Sequence, residues 1–392
     1  MTDDAQFGVY VHIPFCASRC DYCDFATWTD RGHLVDRYVD ACVTDIERRA
    51  LPSASSVFFG GGTPSLLPAE QLVRILDAIP VRRGAEVTVE CNPDSADPGK
   101  LAAYAAAGVN RVSLGVQSMR PHVLAALGRT HDQANVRRSV AWARDAGIAR
   151  VNVDVIYGTP GESDDDWRAT LDDVLALRPS HVSAYALTVE PGTPLGRAVA
   201  AGTRAAPDDD DQATKYERAD DRLRDAGLEW YEISNWSRPG EECRHNLLYW
   251  HQGRYAGVGC AAHGHDVGPD GAARRWWNVR TPERYIDAVG AGRTAEAGDE
   301  RLDPPARRAE RLALGLRTRA GIKLGAAEAE LPRVESCVDE LVAAGLLDVA
   351  SGGRVVLTRR GRLLANDVSA RLLGALPPVP APMAPPAPVG TR

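Results

Sequence analysis

Six short apolar, β-branched runs recur through the first half of the chain, at residues 9–12, 56–59, 87–89, 111–114, 151–156 and 181–185, each separated from the next by a stretch of helical character. A strand–helix unit repeated in this way folds into a parallel sheet with helices outside it, because parallel neighbours need a long crossover to return the chain. One crossover is visible by its period. Trp167, Leu171, Val174 and Leu177 fall at i, i+4, i+7 and i+10, behind Ser163 and the acidic Asp164, Asp165 and Asp166 that suit a helix N-terminus. The class predicted is α/β, an incomplete (β/α)6 barrel open on one side. In a parallel barrel all strand C-termini open on one face, so residues dispersed along the chain converge there. The unusual residues sit at those ends: Cys16, Cys20 and Cys23 after the first strand, Gly60, Gly61, Gly62, Thr63 and Pro64 after the second, Glu90 ending the third, Gly115 and Gln117 after the fourth, and Asp154 late on the fifth.

After about residue 196 the pattern changes. Asp208 to Asp211, behind Pro207, read as the solvated first turn of a helix. An aromatic and His-rich region follows; residues 230–285 hold five of the eight tryptophans together with His245, His251, His263 and His265. Helical periods then resume and end in a strand near 354–358, the pattern of a small winged-helix-like α+β domain. The last stretch, 377–392, contains seven prolines and reads as a disordered polyproline-type tail. The expected division is therefore a barrel over 1–235, the aromatic region over 236–300, a helical and winged domain over 301–376, and the tail.

Charge and cysteine usage narrow the chemistry. With 46 basic against 53 acidic residues the formal charge is −7, and no basic excess recommends nucleic acid as a partner. The N-terminal stretch lacks the positive flank and apolar core of a secretory signal, and nowhere do about 18 uncharged apolar residues run together. A cytoplasmic protein with reduced thiols is expected. Cys42, Cys91, Cys243, Cys260 and Cys337 are scattered singly and read as packed or surface thiols, whereas Cys16, Cys20 and Cys23 crowd into one short loop. Three thiolates can hold three irons of a cubane cluster and leave the fourth iron open to a small molecule. The alternative is a zinc site that borrows a fourth ligand from elsewhere. The glycine triplet lets backbone approach a ligand closely. Glu90 can accept hydrogen bonds from a ribose diol, and Gln117, Arg129 and Asp154 can satisfy an amino-acid zwitterion and a nucleoside.

In this order the residues resemble the radical S-adenosylmethionine superfamily: Tyr10-Val11-His12-Ile13-Pro14-Phe15-Cys16, the Cys-x3-Cys-x2-Cys loop, Gly60-Gly61-Gly62-Thr63-Pro64-Ser65, Val89-Glu90-Cys91-Asn92-Pro93 and Ser113-Leu114-Gly115-Val116-Gln117-Ser118. The resemblance narrows to the branch holding the oxygen-independent coproporphyrinogen dehydrogenases (HemN) and the HemW-type haem chaperones, through Leu127-Gly128-Arg129-Thr130-His131, Asp154-Val155-Ile156-Tyr157-Gly158-Thr159-Pro160-Gly161 and Tyr231-Glu232-Ile233-Ser234-Asn235-Trp236. It implies a [4Fe-4S] cluster on Cys16, Cys20 and Cys23. It also implies S-adenosyl-L-methionine held by Tyr10, Tyr22, Gly61, Gly62, Thr63, Glu90, Gln117, Arg129 and Asp154.

Two features choose within the branch. The dehydrogenases carry a further cysteine two positions after the third cluster ligand, where this chain has Phe25, as the chaperones do. Moreover, His245-Asn246-Leu247-Leu248-Tyr249-Trp250 matches the HNxxYW signature of the chaperones, which implies haem binding with His245 as a candidate axial ligand. The implied function is a haem chaperone that passes haem to acceptor haemoproteins, some of them membrane-bound, with an electron donor serving the cluster. Coproporphyrinogen dehydrogenation is the alternative, and Phe25 implies its loss. The implied location is cytoplasmic, with peripheral membrane association where the client sits in a membrane. Where many relatives read Gly-Pro-Gly-Ala-His-Ser, this chain has Gly259-Cys260-Ala261-Ala262-His263-Gly264, which leaves the role of His263 open.

Overall fold

The computed structural model describes residues 6–324 and 331–376, so the proline-rich tail expected at 377–392 lies outside the described residues. The six apolar runs form β1 (Phe7–Ile13), β2 (Ala54–Gly61), β3 (Val81–Cys91), β4 (Arg111–Gln117), β5 (Arg150–Tyr157) and β6 (His181–Ala186). They pair in parallel in chain order. Side chains alternate across a strand, and the two faces differ sharply in chemistry. One face is aliphatic and buried: Val9, Val11, Val57, Phe59, Val89, Val112, Leu114, Val153, Val155 and Val182. On the other, the register sets Tyr10 beside Phe58, Phe58 beside Thr88, Glu90 beside Ser113, Ser113 beside Asn152, and Asp154 beside Ser183. The aliphatic face drives folding, and the polar row is left to line a cavity.

The crossover helix Asp164–Ala176 starts with a capping box between Ser163 and Asp166, and the helix Asp209–Asp225 is capped by Asp208. These caps satisfy backbone donors that the first helical turn leaves open.

The aromatic-rich segment is not a separate body. β7 (Glu229–Glu232) and β8 (Asn235–Ser237) form a hairpin against β6, while β9 (Arg254–Val258) runs parallel to β1. β10 (His263–Val267), β11 (Ala273–Asn278) and β12 (Glu296–Leu302) carry that edge further. Among the described residues this makes one twelve-stranded sheet, so the boundary expected at 235/236 falls inside it. Strands added at both edges cover the open N–H and C=O groups that six strands alone would expose.

The chain divides into two units, residues 1–301 and 302–392. The second holds the helices Pro304–Gly315, Pro332–Ala343 and Ala365–Ala375 with an antiparallel sheet of β13 (Ile322–Lys323), β14 (Leu347–Ala350) and β15 (Arg354–Leu357), β15 in the centre. Leu312, Leu341, Leu347, Val355, Val368 and Leu372 are buried in it. No helix among the described residues is long and apolar enough to cross a membrane.

Candidate functional site

The polar row of β1 to β6 encloses an inner cavity of about 130 Å³ that reaches Tyr10, Glu90, Asp154 and His245. Its hydrogen bonds form a continuous net. Asp154 accepts from Ser113 Oγ at 2.8 Å and from Asn152 Nδ2 at 2.7 Å, and Asn152 Oδ1 lies 2.6 Å from His181 Nδ1. Glu90 Oε2 accepts the Gly61 N–H at 3.2 Å. Burial, and then the neighbouring Asp154, push the Glu90 carboxyl up to about 8. Near neutral pH Glu90 therefore keeps its proton and can both donate to and accept from a diol.

The cysteine loop is tied to the barrel rim by backbone bonds, Asp21 N–H to Leu127 O at 3.4 Å and Leu195 N–H to Asp21 O at 2.9 Å. Arg129 spans the gap between this loop and β4, with Nη1 3.4 Å from Cys20 Sγ and Nη2 donating to Gly115 O at 2.7 Å. Its buried Nε has no partner among the described residues, a donor left for a ligand. Thr63 Oγ1 reaches Cys16 Sγ at 3.6 Å. Tyr22 packs on a cluster of Val123, Leu127, Ile156, Leu187 and Leu195. Gln117 ends β4 at φ 62°, a conformation that non-glycine residues hold only under constraint. The glycine triplet is required by crowding: a Cβ on Gly62 would meet Phe15 O at 2.7 Å and Ile13 O at 2.8 Å, and Gly61 sits at φ 106°.

Among the described residues no three His, Cys, Asp or Glu side chains stand close enough to hold a single metal ion. Three thiols in one short loop are a donor set that a cubane cluster takes one to an iron. The Arg129 Nε left without a partner and the glycine cradle fit a cofactor that presents a carboxylate and other hydrogen-bonding groups beside the loop.

His245 is the second residue of the helix Arg244–Trp250 and lines the inner cavity. It is 1% exposed. Its Nδ1 is 3.0 Å from Ser56 Oγ, its Nε2 is 2.9 Å from Tyr249 OH, and its ring stacks on Phe58. Burial pushes its pKa down to about 3. Both ring nitrogens are thus engaged within the protein. Tyr10, Glu90 and Tyr249 line both the inner cavity and an outer one of about 530 Å³, which reaches Gly61, Phe25, Tyr255, His263, Trp277 and Arg280.

Sequence reasoning missed Arg111, Asn152, His181 and Glu232. Arg111 pairs with Glu86 at 3.2 Å, both essentially without exposure. Its Nη2 also donates to Glu241 O at 2.7 Å. Asn246 Nδ2 donates to Glu232 Oε1 at 2.9 Å. The signal was present for Asn152 and Asp154, polar residues alternating with Val151, Val153 and Val155; a half-polar strand in a parallel sheet marks a lined interior.

The description "Radical SAM superfamily" matches residues 10–174, and "HemN C-terminal domain" matches residues 302–364. Cysteine loop, parallel sheet and small C-terminal sheet together define a radical SAM protein of this two-part build. The Escherichia coli structure described as coproporphyrinogen III oxidase (HemN), a radical SAM enzyme, superposes with a TM-score of 0.81 at 23% identity, over 95% of this chain and 91% of that one. That likeness speaks to the fold. The Heme chaperone HemW of Mycobacterium tuberculosis is 46% identical over 382 residues, covering 94% of this chain and 95% of the relative. The Heme chaperone HemW of Bacillus subtilis is 33% identical over 94% of this chain and 100% of the relative. A mouse mitochondrial radical S-adenosyl methionine domain-containing protein is 36% identical over 86% and 72%. The chain belongs to the HemW haem-chaperone family.

Proposed function

We propose that this protein is a haem chaperone: it binds haem and passes it to acceptor haemoproteins while carrying a [4Fe-4S] cluster on Cys16, Cys20 and Cys23 and S-adenosylmethionine beside it. The observation that carries this reading is the aromatic outer cavity bordered by Phe25. A cavity of about 530 Å³ lies within the roughly 300–1,000 Å³ usual for organic ligands. Phe25 is 61% exposed at the outer wall. An aromatic ring there adds apolar area for a macrocycle and, unlike a thiol, transfers neither proton nor hydrogen atom.

When bound, the reduced cluster and S-adenosylmethionine supply one-electron cleavage of the sulfonium bond. The chain's own residues bind and orient. Arg129 offers its free Nε–H, Glu90 a protonated carboxyl for a ribose, and Asp154 a carboxylate held by Ser113 and Asn152; Tyr10, Tyr22, Gly61, Gly62, Thr63 and Gln117 surround that place. Haem is cargo at the outer cavity, delivered to haemoproteins by a chain that needs an electron donor only for its cluster.

The test is transfer. Anaerobically reconstituted protein loaded with ferric haem is mixed with an apo-haemoprotein, and the acceptor's holo spectrum is followed. Appearance of holo acceptor faster than from free haem under the same conditions supports the reading; retention of haem by this chain, or failure to bind it, contradicts it.

A further inference from the structure

Asn152 lines the inner cavity, and its amide has two ends of nearly equal shape, so the neighbours decide which way it points. One end lies 2.7 Å from Asp154 Oδ1, 2.6 Å from Ser113 Oγ and 3.0 Å from Ser183 Oγ. An ionised carboxylate only accepts hydrogen bonds, so that end is the amide nitrogen and the carbonyl faces β6. There Asn152 Oδ1 stands 2.6 Å from His181 Nδ1, which must carry the proton. Burial and then the charge of Arg111 hold the His181 pKa well below its ordinary value, so the ring is neutral and Nε2 is bare. Tyr231 OH, 2.8 Å away, donates to Nε2. With its hydrogen engaged there, the Tyr231 oxygen accepts from Asn246 Nδ2 at 3.3 Å.

Every donor in this relay therefore points one way, from Asn246 on the helix Arg244–Trp250 toward Asp154 on β5. A second carboxyl holds the far end: Glu232 Oε1 accepts from Asn246 Nδ2 at 2.9 Å and from Asn235 Nδ2, and Glu232 Oε2 accepts the Ser234 N–H at 3.2 Å. Asn152, His181, Tyr231 and Glu232 are all buried, so a member that loses its partner is not simply re-satisfied by solvent. The relay has two self-consistent polarities. If Asn246 turned its carbonyl to Tyr231, the hydroxyl would donate to it, His181 would carry its proton on Nε2, and the Asn152 amide would turn over. Asp154 would then face a carbonyl oxygen, an arrangement that a carboxylate repels. A bistable element that touches two places is what physical coupling between them requires.

We propose that His181, Tyr231 and Asn246 are positioning residues for S-adenosylmethionine: acting through Asn152, they hold the Asp154 carboxylate turned toward the nucleoside. A ligand that turns Asn246 on its helix thereby lowers the affinity for S-adenosylmethionine, and by linkage the bound cofactor holds Asn246 in place. This rests on the reading that sets S-adenosylmethionine against Asp154, and adds to it three residues that act through their neighbours.

The affinity for S-adenosylmethionine is measured by equilibrium dialysis on anaerobically reconstituted full-length protein with the cluster oxidised. Tyr231→Phe keeps the ring and removes the hydroxyl, and Asn246→Leu removes the first donor. Each is expected to bind about three- to tenfold more weakly, the worth of one hydrogen bond, at wild-type iron content. The double variant should bind no more weakly than Tyr231→Phe alone, because the relay is already cut; two unrelated packing defects would add. In wild type with isotope-labelled asparagine, S-adenosylmethionine should shift the nuclear magnetic resonance of the Asn246 side-chain amide, and in Tyr231→Phe it should not. Wild-type affinity in either single variant, additive losses in the double variant, or a shift that persists in Tyr231→Phe would overturn the relay while leaving cofactor binding intact. No binding of S-adenosylmethionine to wild type would overturn the underlying reading instead. Should Asn246→Leu fail to fold, Tyr231→Phe decides alone: weaker binding with an unresponsive Asn246 signal supports the relay, and either wild-type affinity or a responsive signal overturns it.

Discussion

Cys16, Cys20 and Cys23 are interchangeable with no other thiol in the chain, because only they share a loop at the mouth of the barrel. Anaerobic reconstitution is expected to give about four irons per chain, and Cys→Ser at any of the three should abolish the iron-dependent absorbance. Cys337→Ser, at a half-buried position in the second unit, should leave iron content unchanged. Tight stoichiometric zinc with no cluster absorbance would contradict the assignment. Arg111 tests a different kind of residue. Its guanidinium and the Glu86 carboxylate form a buried pair, and Glu86 also accepts the His245 N–H at 3.1 Å, so the pair pins the helix carrying His245 and Tyr249 to the sheet. Arg111→Ala leaves a buried carboxylate uncompensated and should cost about 3–5 kcal/mol in denaturant unfolding; a loss under 1 kcal/mol would contradict it. The cysteines were legible in the sequence because their spacing is local. Arg111 was not, because its partner lies across a strand pair that nothing in its neighbourhood announces.

Among the elements, the turn after β2 is packed closely against the strand that leads to the cysteines. A Cβ on Gly62 would press on two backbone carbonyls of the segment leading into the cysteine loop, and backbone cannot swing aside as a side chain can. Gly62→Ala is expected to fold, with native-like circular dichroism, yet to hold less iron after reconstitution than wild type. Full iron content in that variant would show that the loop adjusts freely. β1 to β6 were readable because β-branched runs between helical periods leave few alternatives. β9 to β12 were not read as strands. Their aromatic, histidine and charged side chains, as in Arg274-Arg275-Trp276-Trp277, obscure the alternation that marks a strand, and their pairing with β1 is a long-range event that local pattern does not encode. The same strands bring His263 and Trp277 together, so what the sequence withheld about the fold is also what it withheld about the outer cavity.

For the whole molecule, buried acids should make stability depend on pH. Glu90 is held at about 8 against an ordinary 4.5, so between those values the native state keeps a proton that the unfolded chain has released. Stability then falls as pH rises through that window and levels above about 8. His245, pushed from 6.5 to about 3, acts oppositely, adding stability as pH rises between those limits. Above 6.5 only the acids remain, Glu162 and Glu232 at about 7 among them. In cofactor-free protein, denaturant midpoints should therefore decline from pH 6.5 to 8.5, and Glu90→Gln should make that decline shallower. An identical slope in the variant would remove Glu90 as a contributor.

The relatives of this chain carry two different descriptions, heme chaperone and coproporphyrinogen III oxidase. Cluster-replete protein is to be given S-adenosylmethionine, a reductant and coproporphyrinogen III in one vessel, and haem with an apo-haemoprotein in another. A chaperone with Phe25 at the cavity wall should transfer haem and form no protoporphyrinogen IX. Turnover of coproporphyrinogen above about 0.1 per second, against an enzyme median near 10, with no haem transfer, would contradict it.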